Sequence, residues 1–204
     1  MKRLVSSLAV AVSLTSLIYA QQKAARGTAE GSIGSTKVTV DYGRAELKGR
    51  TLESLIAQLP QDRVWRAGVN EVTTLTATGP FTLGGKKVPA GKYSVYVFAP
   101  ATGDWALILN SDPGIELGAL GKLLGFNPPE AASKLLWPHL EGYAPNPAKN
   151  IAGIADKEVA RGTMKSGAAS PVVDPFTISL KPAGGALTLT LAWGDKSWSV
   201  DLKS

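Results

Sequence analysis

The sequence predicts a mainly β domain, an antiparallel β-sandwich or barrel-like fold, with a short helix near 51–59 and a helical insertion around 111–156. Three observations carry that expectation. The C-terminal end holds three clean period-two alternations: Phe176, Ile178 and Leu180; Leu187, Leu189, Leu191 and Trp193; then Trp198, Val200 and Leu202. The stretch 64–110 strings short β-type runs around two turn signals, Gly84-Gly85 and Pro89-Ala90-Gly91. Along the whole chain, about nine or ten short strands punctuated by turns match a sandwich or barrel.

Residues 1–20 read as a signal peptide. Lys2 and Arg3 form a basic start, a broken apolar run covers 4–18, and Ala20 supplies a small residue at the cut. Ser6, Ser7, Ser13, Thr15 and Ser16 make that run short and polar for a membrane span, so removal rather than a retained anchor is expected. The destination would be the periplasm or the cell exterior. The chain has no cysteine for a lipid anchor at the cut and no Arg-Arg pair for a twin-arginine route. Residues 21–35 read as an N-terminal lead-in, and 36–204 as a single domain carrying the insertion.

Val38, Val40 and Tyr42 alternate with Lys37, Thr39 and Asp41, so 36–42 is a strand with one apolar face, broken at Gly43. In 51–59, Thr51 is placed to cap a helix, Leu52, Leu55, Ile56 and Leu59 form its stripe, and Pro60 stops it. The Thr-rich segment 72–78 suits a half-exposed strand, where β-branched side chains are at ease. Gly84-Gly85 tolerates the positive φ of a two-residue hairpin loop. The segments 93–99 and 105–109 then pair across a loop. Within the insertion, Leu120, Leu123 and Leu124 mark one short helix, and a second opens at Pro128-Pro129 and ends before Pro138. Residues 157–164 read as strand and 165–170 as loop. Gly194 to Ser197 reads as a hairpin loop that sets Trp193 opposite Trp198. There is no internal repeat.

The chain has 204 residues, 44% of them hydrophobic, at a mean hydropathy of +0.05, enough for one domain with a real core. Net charge is +6; losing Lys2 and Arg3, with no acidic residue in that segment, leaves +4. The charges are scattered, without the basic stripe and interleaved aromatics that nucleic acid requires, so no nucleic-acid partner is expected. Without cysteine the fold stands on its core alone. A single histidine, His139, excludes the usual zinc sets within one chain. No phosphate-cradling or nucleophile-elbow motif appears, and no calcium loop. No metal or cofactor is expected, and His139 reads as a surface or core-edge residue rather than a catalytic base.

Four local patterns go together: DYGRAELKGR (41–50), VWRAGVNE (64–71), LGGKKVPAGKYSV (83–95) and LTLAW (189–193). With them the chain resembles an exported bacterial family catalogued only as a domain of unknown function. The likeness covers most of the expected mature chain except 111–156. VWR-x-G-x-NE followed by GGK and PAG-x-Y is specific as a set; PAG-x-Y alone is a common turn-to-strand signal. Ala45 stands where the family often has proline. The resemblance implies a compact β fold and export, and no reaction, cofactor or partner.

The candidate site is the polar cluster Arg66, Asn70 and Glu71, wedged between Trp65 and the strand beginning at Val72. Asp41, Arg44 and Arg50 would converge on it if the first strand pairs alongside. A carboxylate between guanidinium groups grips polar ligands well, and the same groups also stitch loops together. Trp193 and Trp198 offer an aromatic platform for a sugar, although their alignment with Leu189 and Val200 places them on the apolar face. The expected function is non-catalytic binding of a small polar ligand, a glycan or a cell-envelope protein, with no membrane span after signal cleavage. The alternatives are a glycosidase-like hydrolase using Glu71 as acid/base, with Asp41 or Asp104 as second carboxylate, or a purely structural or interaction domain.

Overall fold

The computed structural model of the chain describes residues 25–139, 142–149 and 152–204; the expected signal peptide lies outside them. The chain runs through β1 (Arg26–Ile33), β2 (Thr36–Gly43), α1 (Leu52–Ala57), β3 (Val64–Trp65), β4 (Thr74–Ala77), β5 (Phe81–Leu83), β6 (Lys86–Val88), β7 (Gly91–Phe98) and β8 (Ala106–Asn110). A mixed segment follows with β9 (Ile115–Glu116), α2 (Leu117–Leu124), α3 (Glu130–Ser133) and β10 (Leu136–Trp137). The strands β11 (Glu158–Thr163), β12 (Lys165–Ala183) and β13 (Ala186–Lys203) complete it.

The larger sheet has the order β1-β2-β4-β7-β8-β11, with β3 added along β7; the smaller has the order β12-β13-β5-β6. Every pairing is antiparallel. One core joins the inner faces: Val38, Val40, Leu75, Val95 and Leu107 from the larger sheet meet Phe176, Leu189, Leu191 and Leu202 from the smaller. This is the mainly β, antiparallel architecture that the alternations predict. The helix α1 is capped as expected, Thr51 accepting the Ser54 N–H at 3.2 Å.

Three expectations are corrected. Residues 26–33 of the supposed lead-in form β1, paired along its whole length with β2. Its glycines looked like linker composition, but they are packing positions. A Cβ on Gly27 would meet the Tyr42 ring at 2.6 Å, and one on Gly31 would meet Leu187 Cδ1 at 2.6 Å. Residues 165–170, read as loop, are the exposed start of β12, paired with β13 through Lys165↔Ser199 to Ala168↔Lys196. They bury no apolar face, so no alternation announces them.

The third correction concerns 194–197. β13 is one strand of 18 residues and β12 accompanies it on both sides of Gly194. Gly194, at φ +63°, sits where the β12–β13 register shifts. The surplus residues of that shift lie in β12, between Ala168↔Lys196 and Thr177↔Ala192, and the positive φ of Gly194 interrupts the pleat of β13 opposite them. Inward residues are therefore odd-numbered through Trp193 and even-numbered from Trp198, and that parity change imitates a hairpin. Trp193 and Trp198 lie along one strand, not opposite each other.

Of the two helical patterns expected between 111 and 156, the first is α2; the second is only the single turn α3, because the chain leaves the helix at Ser133 and Leu136–Trp137 pair with β9 as β10. Among the described residues no helix is long and apolar enough to cross a membrane.

Candidate functional site

Alternation on β7 sends Val95 and Val97 into the core and leaves Ser94, Tyr96 and Phe98 on the opposite face. On β8 the outward positions are Ile108 and Asn110. Burial of both faces makes β8 a continuous apolar run rather than an alternating one. The segment after β8 folds back over this outer face: Tyr143 and Ile154 pack on Tyr96 and Ile108, with the two tyrosine rings 5.2 Å apart.

Polar groups pin that cover in place. Asn110 donates to the Ile154 carbonyl at 2.7 Å and accepts the Asp112 N–H at 2.8 Å. Ser94 donates to the Asp112 carbonyl at 2.6 Å. The buried Asp112 carboxylate accepts from Lys157 Nζ at 2.6 Å and the Gly114 N–H at 2.8 Å, and lies 2.9 Å from His139 Nε2. Burial pushes this carboxyl up, but Lys157, the Gly114 amide and His139 together outweigh it and hold it below its ordinary value. Asp62 anchors the cover from the other side by accepting the Tyr143 and Ala144 N–H groups at 2.7 and 3.1 Å.

Arg66 enters this region by register. The pairs Val64↔Phe98 and Trp65↔Val97 place the next residue beside Tyr96 on the outer face, while Trp65 turns inward onto Phe176 and Trp193. Arg66 and Tyr96 line a cavity of about 220 Å³ between sheet and cover, walled by Trp65, His139, Tyr143 and Ile154 among others. Among the described residues Arg66 makes no hydrogen bond or ion pair. Burial pulls its guanidinium below the ordinary value, opposed by Tyr96. The Tyr96 hydroxyl is buried and makes no hydrogen bond of normal geometry. Burial, then the Asp112 charge, push it up to about 12, against smaller opposing effects of Ser94 and Arg66. The cavity thus joins a half-buried cation and an unsatisfied hydroxyl within largely apolar walls.

The other expected site residues are placed differently. Glu71 is held by Arg26, whose Nη1 donates to Glu71 Oε2 at 2.8 Å. The same guanidinium donates from Nε to Asp41 Oδ1 at 2.7 Å, contacts that oxygen again through Nη2, and reaches the Val72 carbonyl at 3.2 Å. Asp41 and Glu71 do meet, but around a residue assigned to the lead-in. Asn70 is buried at φ +64°, and Ala67 sits at φ +51°, in a tight loop fixed by Thr73 Oγ1 to the Ala67 carbonyl. The Val69 carbonyl occupies the space a Cβ on Gly43 would need, so this loop packs directly on the end of β2. Arg44 donates its backbone N–H to Ala25 O and buries an unpaired Nε. Arg50 is exposed and closes a local turn through the Leu47 and Glu46 carbonyls. Only Arg66 of the six lines this cavity.

Tyr96, Asp112, His139 and Lys157 were not read as a site. The one local signal is Asn110-Ser-Asp-Pro-Gly114, whose Asp112-to-Gly114 bond is an Asx turn. Of the two tryptophans weighed as a platform, Trp193 stacks on Trp65 in the core at 5.5 Å. Trp198 stacks on Trp105 at 4.0 Å. Among the described residues no group of three or more His, Asp or Glu side chains is arranged to hold a metal ion.

Fold and site define a mainly antiparallel β protein with a small, partly polar cavity between one sheet and a covering segment. Residues 24–119 match the model of the family described as protein of unknown function (DUF2911). That match contains the first three motifs; LTLAW and most of the cover lie beyond it. No curated protein and no solved structure matches the chain.

Proposed function

We propose that this chain is a non-catalytic binding domain whose Arg66 cavity takes a small carboxylate with an apolar body. The carrying observation is that Arg66, whose guanidinium makes no ion pair among the described residues, and the buried, unpartnered Tyr96 hydroxyl line one cavity with largely apolar walls. A half-buried guanidinium with no counter-charge among the described residues is left under-solvated, and an incoming carboxylate offsets that cost through a charge-assisted, bidentate contact. Tyr96 supplies a further donor to the same oxygens. At about 220 Å³ the cavity is smaller than the roughly 300 Å³ at which drug-sized sites begin. The ligand is accordingly a molecule of few carbons, with Val64, Tyr143 and Ile154 meeting its apolar part.

Export to the periplasm or exterior belongs to this reading and rests on the pattern of residues 1–20. The hydrolase alternative needed Arg66 to tune Glu71, whereas the cation beside Glu71 is Arg26. Glu71 and Asp41 do not line this cavity, and their geometry supports a structural role, tying β1 and β2 to the 66–73 loop. Calorimetric titration of small carboxylates into the native chain and an Arg66→Met variant tests the proposal.

A further inference from the structure

A second, larger cavity borders α1, where no motif drew attention. It measures about 720 Å³ and runs between α1, the 99–105 connection and the segment of β12 and β13 beyond the Gly194 bulge. Beyond that bulge the ladder resumes with Ser166↔Trp198, which brings Trp198 onto Trp105. The two rings stack at 4.0 Å with 6° between their planes, each covering one face of the other; Trp198 is buried, and the half-buried Trp105 is the indole with accessible surface at this groove. Leu52 and Ile56 of α1 continue the apolar lining. The rim carries Glu53, Arg63, Asp195 and Lys196, two charges of each sign. Arg63 holds a left-handed backbone at φ +57°, fixed between the Pro60 and Ala99 backbones. Such a conformation is unfavourable for a non-glycine residue and clusters at ligand clamps.

We infer that this groove binds a neutral oligosaccharide. The negative π face of an indole attracts the partly positive C–H groups on the flat side of a pyranose ring. Hydroxyls both donate and accept, and the rim offers carboxylate acceptors beside guanidinium and ammonium donors. A polyanion would meet Glu53 and Asp195, and a polycation Arg63 and Lys196, so the balanced rim suits an uncharged ligand. The volume falls within the range of sites that enclose several ring-sized groups. An added peptide strand is the competing occupant, since β12 ends its sheet. Pro171 lacks the N–H that such a strand must use, leaving only a short edge before it.

The test uses the full chain, titrated by calorimetry and tryptophan fluorescence with cellotetraose, chitotetraose and maltotetraose. At least one should bind saturably with a shift in emission. Ala57→Arg, an exposed α1 position at the groove, should weaken that binding by about tenfold or more. Glu53→Ala should weaken it without changing the melting midpoint, while Arg66→Met should leave it unaltered, separating this groove from the carboxylate cavity. Failure of all three sugars to bind, or full affinity in both Ala57→Arg and Glu53→Ala, overturns the inference. Capture of an extended peptide in place of any sugar, with protection of the 165–170 amides, also overturns it.

Discussion

Arg66 lies beside Tyr96 across the β3–β7 pairing, and among the described residues no carboxylate stands within ion-pair distance of that guanidinium. A half-buried cation without a partner among the described residues adds little to stability and can cost free energy. Replacing Arg66 with Met keeps much of the stem's packing and removes the charge. The variant should be as stable as the parent or more so, by up to about 2 kcal/mol. For a chain of this size that is roughly 2–8 °C in melting midpoint, readable by calorimetry. A marked fall would show that Arg66 is a structural partner.

Asp112 behaves in the opposite way. Asp112→Asn leaves Lys157 and His139 without their shared carboxylate and should cost about 3 kcal/mol. The pH dependence has a definite sign. The carboxyl is held below its ordinary value of 3.8, so the stability it contributes is complete above that pH. It is lost as pH falls through the lower, folded value. Denaturant midpoints measured from pH 6 downward should show a steeper acid loss in the parent than in the variant.

Glu71→Gln probes the site first suggested by the sequence. It leaves Arg26 with Asp41 as its only charged partner and should lower stability by about 1–3 kcal/mol, the worth of a hydrogen bond to a charged group. Carboxylate binding should be unchanged, as measured by the same titration used for Arg66. Loss of binding in this variant would return Glu71 to the site.

Gly31→Ala tests whether β1 is an integral strand. The added methyl would press on Leu187, a fully buried residue of β13, and should cost about 1–3 kcal/mol. An unstructured lead-in would tolerate it, so an unaltered unfolding midpoint would contradict the strand's packing role.

The fold was legible wherever one face of a strand is buried and the other is wet. Val38, Val40 and Tyr42, or Phe176, Ile178 and Leu180, write their orientation directly into the sequence. It was illegible where that contrast fails. β1 gives the core only Ala29 and Ile33, with half-buried glycines under the side chains of Tyr42 and Leu187, so its apolar alternation is too sparse to read. The bulge at Gly194 keeps one strand continuous while reversing parity, and reversal of parity is also what a turn produces. The site was legible only in part. Arg66 was singled out by its company in VWRAGVNE, yet its neighbours there point elsewhere. Glu71 turns to Arg26, 45 residues earlier, and Arg66 turns to Tyr96 on a strand that reads as ordinary core. Contacts fixed by strand order are invisible to local pattern.

The central claim is that Arg66 and Tyr96 await a small carboxylate. Its most direct test is isothermal titration of acetate, lactate and benzoate into the parent chain, Arg66→Met and Glu71→Gln at neutral pH. The expected result is saturable binding of at least one carboxylate, weakened by about tenfold or more in Arg66→Met and preserved in Glu71→Gln. Binding of none of the three, or equal binding by Arg66→Met, would contradict it.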